Sequence, residues 1–149
     1  MKKLTLLLLI LFISGCGFKV VNMSENNFYI DNLEAKGNSK INFIIRNNLL
    51  KSSKNSANKI SLELETKKTR NVKEKNIKNE ITKYEILIIA NTTIEKKIDN
   101  IKYSFTVSSI GDYNAASQNS TTRNNEKRLI KILSNNLSKK IIREMPFLF

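Results

Sequence analysis

Ile60-Ser61-Leu62-Glu63-Leu64-Glu65 alternates apolar and polar side chains without a break. Successive strand residues face opposite sides of a sheet, so this segment reads as a strand with one face in a core and the other in water. Working outward, Tyr84 to Ala90 differs, because Ile86, Leu87, Ile88 and Ile89 are apolar at both parities. Such a strand is covered on both faces or sits centrally in its sheet. The next segment alternates again, with Ile101, Tyr103, Phe105 and Val107 on one side and Lys102, Ser104, Thr106 and Ser108 on the other. Gly111-Asp112 follows as a turn signal. Upstream, Phe28-Tyr29-Ile30-Asp31 reads as a brief first strand ended by Asn32.

Two stretches carry helical periodicity. Asn38 or Ser39 offers an N-cap for a helix with Ile41, Ile44, Ile45 and Leu49 on one side, and Ser52 to Ser56 breaks the pattern. The last element is the longest, with Leu129, Ile130, Ile132, Leu133, Leu137, Ile141 and Ile142 recurring at three and four. Glu126 lies towards its start and Lys139, Lys140 and Arg143 towards its end, the charge order that suits a helix dipole, and Pro146 stops it. The order strand, helix, three strands, helix predicts an α+β fold: a two-layer sandwich of two α-helices on one face of a four-stranded mixed sheet. If the first two strands pair in parallel, the intervening helix is a right-handed crossover. The other sheet face then carries Ser, Thr, Glu and Lys, and meets something wet or charged.

The chain begins with a basic and then apolar leader. Lys2 and Lys3 precede the run Leu4 to Ile13, and Ser14-Gly15-Cys16 supplies small residues before a cysteine. Ten helical residues span ~15 Å, half of a ~30 Å hydrocarbon core, too short for a stable transmembrane anchor. The cysteine directly after the small residues is the arrangement of bacterial lipoprotein signal peptides, so Cys16 is the expected lipid attachment site after cleavage. Cys16 is also the single cysteine, which rules out an intrachain disulfide. Residues 1–15 are read as signal peptide, 16–27 as lipidated Cys16 and tether, and 28–149 as one domain.

The formal charge is +13 with no histidine. Part of this is compositional, since Lys, Asn and Ile abound throughout. A basic surface favours anionic partners without naming them. Nucleic acid is not expected, because stacking aromatics do not accompany the basic groups on an exposed platform. No catalytic constellation is present: histidine is absent, the one cysteine is committed to lipid, and the acidic residues are scattered, so the chain reads as a non-enzyme. No cofactor motif occurs, the four glycines forming no phosphate-cradling loop, and His or Cys metal ligation is excluded by composition. A carboxylate calcium site stays open.

Binding is best sought between the second and third strands, from Thr66 to Thr82, which reads as a long loop. Lys67, Lys68, Arg70, Lys73, Lys75 and Lys78 lie in it against Glu74 and Glu80. Structureless connections beyond ~12–15 residues are uncommon in compact domains, so the loop needs a reason. It is either a solvated stretch of a Lys-rich protein or a mobile basic finger that meets phosphates, with Lys67, Lys68, Arg70, Lys73 and Lys75 as the candidate anion-binding or lipopolysaccharide-binding residues. Arg70 leads, because a guanidinium grips phosphate in bidentate fashion. Tyr113 and the tail Phe147-Leu148-Phe149 stand out as apolar groups for a partner or membrane, the tail having a return onto the core as its alternative.

Ser14-Gly15-Cys16-Gly17-Phe18, the helix with Arg46-Asn47, the Ile60 to Leu64 and Tyr84 strands, and Tyr113-Asn114 and Ser117 ahead of a final amphipathic helix together resemble the LptE family of lipopolysaccharide-assembly lipoproteins. The resemblance spans nearly the whole mature chain, in spacing and element order more than in sharp motifs. Gln118 to Thr122 departs from it, lacking the family's aromatic and alanine residues. It implies two helices on a four-stranded sheet, acylation at Cys16, and anchoring at the periplasmic face of the outer membrane. It also implies a one-to-one complex with the LptD β-barrel, which the lipoprotein plugs and helps to fold, and contact with lipopolysaccharide in transit to the cell surface. A pilotin-like lipoprotein escorting another outer-membrane assembly and a carrier of anionic lipids are the alternatives; the carrier needs an apolar cavity.

Overall fold

The computed structural model describes residues 28–145. The stretches read as signal peptide and tether, with Cys16, Pro146 and the Phe147-Leu148-Phe149 tail, lie outside them. The elements run β1 (Tyr29–Gly37), α1 (Ser39–Ser52), β2 (Lys59–Lys75), β3 (Ile81–Lys96), β4 (Lys102–Asn114) and α2 (Asn119–Glu144). The four strands form one sheet in the order β1-β2-β3-β4, with β1 parallel to β2 and the other pairs antiparallel. Both helices cover one face, as the periodicities predict. None of the described helices is long and apolar enough to cross a membrane.

The core lies between these layers. Ile60, Leu62 and Leu64 of β2 and Ile86, Ile88, Ala90 and Ile94 of β3 are buried against Ile41, Ile45 and Leu49 of α1 and Leu133, Leu137 and Ile141 of α2. Each isoleucine or leucine among them contributes roughly 1.5–3 kcal/mol by leaving water, enough together to hold a layer of two helices on the sheet. Phe105 and Val107 pack against the rim of this core, on the same face as Tyr103.

Several boundaries differ from the sequence reading. The first strand does not stop at Asn32: Asp31 is an extra residue in the register between Ile30 and Asn32, and pairing resumes through Gly37. The bulge absorbs the polar pair and the strand continues. Gly111-Asp112 is no turn but part of β4, facing Ile86 and Glu85. The glycine is there for packing, since a Cβ at position 111 would lie 3.0 Å from Leu129 Cδ1 of α2. Ile101 precedes β4 and is exposed. Tyr84 to Ala90 sits in an inner strand, as one of its two readings holds, but it is not covered on both faces: Leu87 and Ile89 are half-buried on the side away from the helices.

The largest correction concerns Thr66 to Thr82. It is not a loop: β2 continues through Lys75, Asn76 to Glu80 make a tight turn, and β3 begins at Ile81. Pairing runs from Ile60–Lys96 to Lys75–Ile81, with irregularities between Val72 and Lys75. The turn is held by Asn76, whose side-chain oxygen accepts from the Lys78 and Glu80 amides at 2.9 Å, while Asn79 takes a left-handed φ of 63°.

α1 is fastened at its start. Asn38 is the N-cap, its side-chain oxygen accepting from the Ile41 amide at 3.3 Å. Thr66 of β2 accepts from the Asn38 amide at 3.2 Å and donates to Asn42 Oδ1 at 2.6 Å, and Asn42 Nδ2 donates to the Lys36 carbonyl at 3.0 Å. α2 starts at Asn119 without a side-chain cap from Gln118; Thr122 Oγ1 instead accepts from the Ala116 amide at 2.9 Å.

Candidate anion-binding site

Straightening the presumed loop into β2 disperses its basic residues. Alternation sends Lys68 and Arg70 to the helix face and Lys67 to the opposite one. At the irregularity in β2, Lys73 bonds Asp112 at 3.1 Å and lies 3.9 Å from Glu85, both on the open face, and Lys75 donates to Asn79 Oδ1 at 2.9 Å. The strand therefore divides Lys67, Lys68, Arg70, Lys73 and Lys75 between the two sheet faces and the hairpin turn.

Arg70 stacks on two aromatic rings. Its guanidinium carbon lies 3.7 Å above the Tyr84 ring and 5.9 Å from that of Tyr113, and the two rings stack with centroids 5.4 Å apart. Tyr113 is buried here, contrary to the expectation of an exposed contact aromatic. Its hydroxyl donates to Glu126 Oε2 at 3.3 Å, and Glu126 Oε1 accepts from Lys68 Nζ at 3.0 Å. Burial alone would raise the Glu126 pKa, yet Lys68 by hydrogen bond and charge, with Arg70 and the Tyr113 hydroxyl, brings it below the ordinary carboxylate value. Burial and the Glu126 charge raise that of Tyr113, against the opposing effect of Arg70. The chain Arg70–Tyr113–Glu126–Lys68 ties β2, β4 and α2 together.

Above Lys68 and Glu126 opens a groove of about 680 Å³ between the first turns of α1 and the first half of α2. Ile44 and Ile130 supply apolar floor, and Lys40, Arg123 and Lys127 stand at its rim. Among the described residues no carboxylate pairs with these three cations. Asn38, Ser39 and Lys40 bring the positive end of the α1 dipole to the same opening. Cations above an apolar floor can hold an anionic head group while an alkyl segment lies along the floor.

Sequence reasoning reached Lys68 of this set and missed the rest. Arg123 and Lys127 are one helical turn apart, a spacing visible in the sequence, but nothing there says that α1 packs beside them. No group of His, Cys, Asp or Glu able to hold a metal occurs among the described residues.

No protein-family model and no curated protein matches this sequence. Solved structures do share the fold. Rare lipoprotein B from Shewanella oneidensis superposes with a TM-score of 0.60 at 14% identity, over 79% of this chain and 96% of that one. A minor lipoprotein from Acinetobacter baumannii gives 0.57 at 17%, over 80% and 92%. Lipoprotein B from Nitrosomonas europaea gives 0.54 at 10%, over 87% and 90%. The arrangement of two helices on a β1-β2-β3-β4 mixed sheet is thus the fold of these bacterial lipoproteins.

Proposed function

We propose that this chain is a non-enzymatic LptE-type lipoprotein of the outer membrane, acylated on Cys16, held at the periplasmic face. In this reading it plugs the lumen of an LptD β-barrel in a one-to-one complex, assists its assembly and takes part in lipopolysaccharide transport. The observation that carries it is a coincidence of two independent features. The leader ends in Ser14-Gly15-Cys16, and the domain that follows has a fold shared along nearly the full length of solved lipoproteins.

The sheet surface supports the plug. Towards its β1 edge the open face presents Glu34, Lys36, Glu63, Glu65, Asn91 and Thr93, with Ser104 and Thr106 beside them, whereas Leu87, Ile89 and Ile110 lie further along the same face. A barrel lumen is polar, so its plug needs a hydrophilic flank. The groove beneath Lys40, Arg123 and Lys127 supports contact with phosphorylated lipid. It is open to solvent beside a packed core, a shape that fits transient contact better than the enclosed cavity a lipid carrier uses.

Isolating the acylated protein from its native membranes tests the proposal. An outer-membrane β-barrel recovered at equal stoichiometry is the expected result; recovery of a secretin instead moves the chain to the pilotin class. Mass spectrometry of the same sample should find fatty acyl groups on Cys16, and an unprocessed amino terminus would refute the anchor.

A further inference from the structure

Where the chain enters the fold decides which end of it meets the membrane. Phe28 arrives beside the C-terminal end of α1: its carbonyl accepts from the Lys54 amide at 3.0 Å, and Ser53 Oγ accepts from the Ile30 amide at 2.9 Å. The Tyr29 amide donates to the Asn58 carbonyl at 2.9 Å, and that of Lys97 to the Lys59 carbonyl at 3.0 Å. Four pieces of chain, the starts of β1 and β2, the end of α1 and the β3–β4 turn, thus form one end of the molecule.

That end is basic and apolar together. It carries Lys51, Lys54, Lys59, Lys96, Lys97 and Lys102 against three carboxylates, Asp31, Glu95 and Asp99. Among these lysines stand Ile98, 77% exposed, and Ile101, Leu50 and Tyr29, 45%, 41% and 39% exposed. Ile98 is displayed by a closed turn in which the Asn100 amide donates to the Lys96 carbonyl at 2.9 Å and Asn100 takes a left-handed φ of 55°.

We infer that this end is a second membrane contact, resting on an anionic phospholipid surface with Ile98 and Ile101 in the interfacial layer and the lysines among the phosphates. The inference rests on the Cys16 anchor for its orientation. Fully extended, the chain from Cys16 to Phe28 reaches at most ~40 Å, so an acylated Cys16 keeps this end near the bilayer. The opposite end offers a rival of similar chemistry, with Ile77 wholly exposed between Lys75 and Lys78. It stands a β2 length away, ~55 Å for seventeen residues. A lipid anchor supplemented by basic and apolar surface contacts is a two-signal attachment, stronger than acyl chains alone.

Spin labels decide between the ends. The acylated chain carrying Ile98→Cys or Ile77→Cys is labelled with a nitroxide and placed in vesicles of phosphatidylethanolamine and phosphatidylglycerol. A label at position 98 should be relaxed more by lipid-soluble oxygen than by an aqueous nickel chelate, and one at 77 the reverse. Adding Lys51→Glu, Lys54→Glu and Lys97→Glu, with circular dichroism confirming the fold, should return position 98 to water. Equal aqueous access at 98 and 77 would overturn the contact. If mass spectrometry shows Cys16 bare, sedimentation with the same vesicles replaces the label test. Binding weakened about tenfold or more by Ile98→Asp but not by Ile77→Asp sustains the surface without the anchor; no binding ends both.

Discussion

Glu126 illustrates how a single residue joins stability to the groove. Its pKa is lowered in the folded chain, so its contribution is present above the ordinary carboxylate value of 4.5 and is lost as pH falls through the lower folded value. Glu126→Gln should therefore cost about 1 kcal/mol at neutral pH, read by urea unfolding, and the gap from the parent chain should be smaller at pH 3. A gap of equal size at both pH values would assign Glu126 to packing alone. Gly37 is held more tightly: its φ is +101°, and a Cβ there would lie 2.0 Å from the Thr66 carbonyl oxygen. Gly37→Ala should cost about 3 kcal/mol or more in thermal unfolding. Gly111→Ala, which meets the side chains of Leu129 and Leu133, should cost about 1 kcal/mol. At this scale the N-cap at Asn38 was legible, because its side chain bonds within its own helix turn. The partners of Glu126 and Tyr113 were not, since all lie on other elements.

Among the elements, the hairpin arm has the least support. Near the helices, Thr66 and Ala90 are buried; further out, Arg70 and Val72 are exposed and Ile81 and Tyr84 only half-buried. Amides at positions 71–75 should accordingly exchange with solvent by local opening, well before those of 60–66, in native-state hydrogen exchange. Uniform protection along β2 would contradict this. The arm escaped sequence reading for the same reason. From Lys67 to Lys75 neither parity is consistently apolar, so no alternation separates strand from loop. Its partner β3 holds the apolar run Ile86 to Ala90 opposite Thr66 to Arg70, and backbone pairing along β3 orders residues whose own side chains express no preference. β4 was legible where Tyr103, Phe105 and Val107 alternate and illegible at Gly111, where a helix packs close enough to require glycine.

For the molecule as a whole, the dispersal of charge is the functional point. Arg123→Glu with Lys127→Glu should lower lipopolysaccharide affinity about tenfold or more in a titration at fixed ionic strength, whereas Lys67→Glu with Lys75→Glu should change it far less. The opposite ranking would return the site to the hairpin. Charge composition was visible from the start, but a count of lysines along a chain has no direction. By itself the sequence determined the order of strands and helices and the side of each helix that enters the core. Those are local matters, set by the 2.0 and 3.6 residue repeats and by chemistry within a few residues. Tertiary structure alone decided which cations share the groove, that Arg70 lies on Tyr84, and which end of the sheet the chain enters beside, because each depends on segments far apart in sequence being brought together by the burial of a common apolar face.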